Sequence, residues 1–94
     1  MPLAKTVWTS TAAKDRLDQL LYIEAENPRA ALRLDFEIQR QTDLLCDFPE
    51  MGRPGRVPDT RELVISRTPY VVIYRARVGN VQILRLLHAA QLWP

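Results

Sequence analysis

The rhythm of hydrophobic and polar positions changes once along this chain, near residues 49–58. Before that point the apolar residues follow a helical period. Ala13, Leu17, Leu20, Leu21 and Ala25 recur at spacings of four, three, one and four, making one apolar stripe, and Asp15, Arg16, Asp18, Glu24 and Glu26 fall mostly off it. Thr9, Ser10 and Thr11 offer hydroxyls that cap a helix start. Asn27-Pro28 then stops and restarts the chain, because a capping side chain is followed by the proline favoured at a first helical position. A second stripe runs through Ala31, Leu34, Ile38 and Leu45, broadened by Leu32 and Phe36, and ends at Phe48-Pro49. Two helices with almost no loop between them form an antiparallel hairpin. In front of them, Lys5–Trp8 is expected as a short first strand.

Residues 49–58 carry three prolines and two glycines, a density expected to exclude regular structure. Beyond them the pattern turns to period two and to β-branched and aromatic runs. Residues 61–66, 70–77 and 81–88 read as three strands, separated by Thr68-Pro69 and Gly79-Asn80. Gly79 is expected at the first central position of a type II′ turn, where a positive φ is needed. An apolar helical hairpin and a half-apolar sheet each need a surface to bury against. The expected fold is therefore α+β, a single domain over residues 1–94, with an N-terminal strand and the hairpin packed on a small, mainly antiparallel sheet.

Composition narrows the function classes. Hydrophobic residues make up 47% of the chain and charged residues 26%, the balance of a chain that folds rather than one that stays disordered. The single cysteine, Cys46, has no partner for an internal disulfide and no metal-ligand spacing around it, so a reducing, cytoplasmic setting and no metal or other cofactor are expected. Apolar runs are far too short to span a bilayer, and no membrane partner is expected. Charge is uneven. Residues 1–47 hold six Lys or Arg against eight acids, whereas residues 48–94 hold seven Arg against three acids, so a net −2 half precedes a net +4 half. Arginine in that density suits bidentate contact with phosphate or carboxylate, which points to nucleic acid or an acidic protein as partner.

Candidate chemistry lies in the strand half. Metal-free cleavage of RNA by its own 2′-hydroxyl needs a proton acceptor, a proton donor and positive charge at the phosphate. Glu62 and His88 can exchange protons, and Arg61, Arg75 and Arg85 can stabilise charge. Each also has an ordinary structural role. Glu62 points away from Arg61 and is expected to pair with an arginine on a neighbouring strand. His88 closes an apolar strand, where a hydrogen-bonded structural imidazole is expected, and Tyr70 and Tyr74 share one face as packing residues. Trp8 and Trp93 are expected to anchor the two termini.

Taken in order, several segments resemble the RelE/ParE toxin superfamily. They are Trp8-Thr9 before a helix, Asn27-Pro28-Arg29-Ala30-Ala31, Phe48 through Arg53, Thr60-Arg61-Glu62-Leu63-Val64, Pro69 through Arg75, and Ile83 through Pro94. The resemblance spans nearly the whole chain. It implies the toxin of a bacterial type II toxin-antitoxin pair, silenced when an acidic, partly disordered antitoxin folds across it in a hetero-oligomer. Two activities occur on this fold, poisoning of DNA gyrase in ParE-like members and ribosome-dependent mRNA cleavage in RelE-like members. RelE-like nucleases tend to carry lysines along the second strand, and residues 61–66 have none, so the resemblance implies a ParE-like gyrase inhibitor first and the nuclease second. A nuclease would use Arg61, Glu62, Arg85 and His88 as its catalytic set. In either case Arg53, Arg56, Arg61, Arg75, Arg77, Arg85 and Trp93 are the expected contacts to target or antitoxin.

Overall fold

The computed structural model describes residues 5–89, 91, 93 and 94. Strand β1 (Lys5–Trp8) leads into helix α1 (Ser10–Glu24), and helix α2 (Pro28–Asp43) runs on into a 3-10 turn at Leu44–Cys46. Strands β2 (Arg53–Pro54), β3 (Arg61–Val64), β4 (Tyr70–Arg77) and β5 (Asn80–His88) follow. All five strands form one sheet in the order β1-β5-β4-β3-β2. Its pairs are antiparallel except that β1 lies parallel to β5, so the architecture is mixed α+β, two helices on one sheet.

Local chemistry explains the helix boundaries. The Thr9 hydroxyl accepts the Ala12 amide at 3.1 Å and donates to the Leu84 carbonyl at 3.3 Å, so one side chain caps α1 and ties it to β5. Asn27 Oδ1 accepts the Ala30 amide at 3.1 Å, and Pro28 takes the first position of α2.

The core lies between α2, β3, β4 and β5, with Leu34, Ile38 and Leu45 against Leu63, Ile65, Val72, Tyr74, Val81 and Ile83. Tyr74 is fully buried. Its hydroxyl donates to Pro49 O at 2.7 Å and accepts Gly52 N at 2.9 Å, which pins the Pro/Gly segment to the sheet. A Cβ on Gly52 would sit 2.7 Å from the Tyr74 ring and 2.8 Å from Glu62 O, so only glycine fits there.

Three sequence expectations change. First, the predicted α1 stripe faces outward except at Leu20: Ala13 and Ala25 are exposed, as are Leu17 at 56% and Leu21 at 53%. The inward stripe is Ala12, Arg16, Leu20 and Ile23, with the Arg16 guanidinium 4.8 Å from the Trp8 ring centroid and bonded to Asp35 at 2.6 Å. A cation packed on an indole and neutralised by a carboxylate is tolerated inside a stripe that hydrophobicity alone rejects. Second, the Pro/Gly segment does contain regular structure, since Arg53 and Pro54 pair with Glu62 and Arg61. Pro54 is tolerated because β2 is an edge strand. Third, β4 and β5 meet through Val78 and Gly79, with Gly79 at φ +85°. Glycine therefore fills the second central position of the turn rather than the first.

Strand β5 carries a bulge. Tyr74 faces Ile83 and Ile73 faces Arg85, leaving Leu84 as the extra residue. The slip inverts the alternation, so Val81, Ile83 and then Leu86 face the helices. Because β1 reaches only to Ile83, the rest of that β5 edge is covered by α1, whose Asp15 carboxylate accepts the Leu86 amide at 3.1 Å.

Candidate functional site

The face of the sheet turned away from the helices carries a small recess of about 100 Å³. Its apolar floor is Val71, Ile73 and Leu87, outward residues by alternation, of which Ile73 and Leu87 are nevertheless buried. Arg53, Arg56 and Glu62 stand on one side, and His88, Gln91 and Trp93 on the other. The segment after β5 folds back here: Ala89 N donates to Pro69 O at 2.6 Å, and Gln91 Oε1 accepts His88 N at 2.7 Å.

Each predicted residue now has a position. Arg53 reaches across from β2 and holds Glu62 at 3.0 Å, the cross-strand ion pair expected for that carboxylate, and Glu62 is nearly closed off from solvent. His88 packs edge-to-face on Tyr70, ring centroids 5.6 Å apart. Arg75 donates to Gln82 Oε1 at 2.9 Å, its register partner on β5, and Arg77 pairs with Asp59 at 3.1 Å. Arg61 turns toward the Pro/Gly segment and donates to Gly52 O at 2.8 Å. Arg85 is drawn to Asp15 of α1, Nε to Oδ2 at 2.7 Å, and this contact raises its pKa above the ordinary arginine value.

The four residues of the nuclease set are thus not brought together. Glu62 and His88 line the recess, but Arg61 and Arg85 are held elsewhere, and the cations beside the recess are Arg53 and Arg56. Of the seven expected contact residues, Arg53, Arg56 and Trp93 line the recess, and Arg75 and Arg77 extend the same face. Chemically this is an anion-receptive surface with a small apolar centre. The partners Asp15, Asp59 and Gln82 and the floor residues Ile73 and Leu87 were not foreseen as parts of the site, and no local pattern marks them. Among the described residues, no group of three or more His, Cys, Asp or Glu side chains is placed to hold a metal ion, and no helix is long and apolar enough to cross a membrane.

Known proteins match this chain over almost its full length. The family model of the ParE toxin of the type II toxin-antitoxin system parDE matches residues 6–93. The Y4kP protein of Sinorhizobium fredii is 44% identical over 93% of this chain and 90% of its own length. Toxin RelE2 of Caulobacter vibrioides is 38% identical over 96% of this chain and 100% of its own. Among solved structures, the chromosomal ParDE system of P. aeruginosa superposes with a TM-score of 0.81 at 28% identity, covering 92% of this chain and 96% of that one. The RelBE2 complex of Mycobacterium tuberculosis shares the fold, with a TM-score of 0.59 at 23% identity over 97% and 95% of the two chains.

Proposed function

From the premise that this chain belongs to the ParE toxin family of type II toxin-antitoxin systems, we propose that it arrests bacterial growth by binding and inhibiting DNA gyrase through the outer face of its sheet. An acidic antitoxin neutralises it by forming a hetero-oligomer. The observation that carries this reading is the dispersal of the nuclease set: Arg61 is spent on a backbone carbonyl, Glu62 on Arg53 and Arg85 on Asp15. Arg61 and Arg85, held by a backbone carbonyl and by a helix carboxylate, are poorly placed to stabilise a transition state, whereas Arg56 and Arg75, with Arg53 and Arg77 in exposed ion pairs, present cationic surface to a protein target.

One observation favours a second reading, a ribosome-dependent, metal-free endoribonuclease. Glu62 and His88 line one recess beside Arg53 and Arg56, so a proton acceptor, a proton donor and positive charge sit together. Induction of the toxin without antitoxin separates the two. Gyrase inhibition yields DNA breaks and loss of supercoiling with translated mRNA intact, and His88→Ala keeps full toxicity. Rapid mRNA loss abolished by His88→Ala overturns the gyrase reading.

A further inference from the structure

The turn joining β4 to β5 ends in a side chain that the fold does not use. Arg77 and Asn80 are paired across the two strands, which leaves Val78 and Gly79 as the tip. Val78 is fully exposed, and a Cβ built on Gly79 would meet nothing within 4 Å, so the tip stands clear of the rest of the molecule. Gly79 is explained by its φ of +85°. Valine has no comparable reason to be there. Tight hairpin tips favour Asn, Asp and Gly, and a β-branched apolar side chain at this position neither shapes the turn nor packs on anything.

The base of the tip is braced and positively charged. Arg77 is bound to Asp59 at 3.1 Å, and Asp59 takes a φ of +70°. The loop that carries Asp59 is closed by Gly55 N donating to Thr60 O at 2.7 Å and by the Thr60 hydroxyl donating to Val57 O at 2.6 Å. Strand register sets Lys5, Asn80 and Arg77 in one row across β1, β5 and β4, and Val7, Gln82 and Arg75 in the next. Paired positions share a face and positions two apart keep it, so Lys5, Arg75, Arg77 and exposed Val7 form one strip leading to Val78. With Asp59 offsetting one of the three cations, the strip remains positive.

We propose that this tip reads the toxin's target: Val78 enters an apolar socket on the target protein, and Lys5, Arg75 and Arg77 meet carboxylates around the socket's rim. An apolar side chain held away from its own fold, with cations behind it, is complementary to such a socket. Duplex DNA fits less well, because the Asp59 carboxylate at the base repels phosphate. The inference rests on the gyrase reading above and deepens it, placing the specificity-determining contact at the end of the sheet, beyond the recess lined by Glu62 and His88.

The test uses the full chain and purified DNA gyrase. Val78→Asn installs a residue suited to tight turns and removes the apolar group, whereas Val78→Leu keeps the position apolar. Because Val78 makes no packing contact, both variants are expected to match wild type in circular dichroism and thermal midpoint. Val78→Asn is expected to raise the concentration that half-inhibits supercoiling by at least about tenfold, the loss of one buried valine side chain, while Val78→Leu stays within about threefold of wild type. A well-folded Val78→Asn that inhibits supercoiling within threefold of wild type overturns the proposal. So does binding of wild type to bare duplex DNA that Val78→Asn abolishes, since that places the valine against nucleic acid. A wild-type chain that arrests growth without affecting gyrase overturns the gyrase reading alone. Growth arrest then judges the tip, and arrest by Val78→Asn at wild-type strength overturns it as well.

Discussion

Tyr74 shows how one side chain can organise a segment that has little structure of its own. Its ring fills the core, and its hydroxyl serves two backbone groups of the Pro/Gly segment, Pro49 O and Gly52 N. Leaving both without a partner in a buried position costs about 2 kcal/mol. Tyr74→Phe is therefore expected to lower stability by about that amount in denaturant titration. Burial also raises the Tyr74 pKa above its ordinary value of 10, a direction opposed by the Gly52 amide and by Arg61. A folded-state pKa above the unfolded one contributes stability that is complete below pH 10 and is lost as pH rises through the folded value. Wild type should lose stability in that alkaline window more steeply than Tyr74→Phe, with buried Tyr70 supplying part of what remains. Equal slopes for the two proteins would show that the phenol is not the group responsible.

At the level of strands and helices, the instructive contact is Asp15 with β5. A strand edge left open by the short β1 exposes amides that would otherwise template another chain. Helix α1 closes that edge with a carboxylate that accepts the Leu86 amide and the Arg85 guanidinium together. Asp15→Ala removes all three of these bonds at a partly buried position and is expected to cost about 2 kcal/mol. Amide exchange should accelerate at Leu86 first, while the Val81 and Ile83 region, covered by β1, stays protected. Uniform acceleration along β5 would instead mean that Asp15 acts only through global stability.

Considered as one body, the molecule has two cationic regions of different character on opposite sides of the sheet. The outer face spreads Arg53, Arg56, Arg75 and Arg77 around a shallow apolar recess. The helix side concentrates Arg33 and Arg67 beside exposed leucine and phenylalanine. Charge reversal on the outer face, Arg75→Glu/Arg77→Glu, is expected to abolish growth arrest while leaving antitoxin affinity within about threefold of wild type. Loss of antitoxin binding by the outer-face variant would show that one surface serves both partners.

Periodicity and turn residues were enough to read the helical hairpin, the three strands after the Pro/Gly segment and the pairing of Glu62 with an arginine, and the order of the matching segments carried the resemblance to the toxin family. Those features are local or depend only on order along the chain. The inward face of α1 was illegible because Arg16 enters it, acceptable only once Trp8 and Asp35 are beside it. The position of Arg85 was illegible for a related reason, since the bulge at Leu84 inverts the alternation and a carboxylate seventy residues earlier captures the guanidinium. Which arginines stay on a shared surface and which become internal struts depends on contacts between segments far apart in sequence, and such contacts leave no periodic trace in the chain.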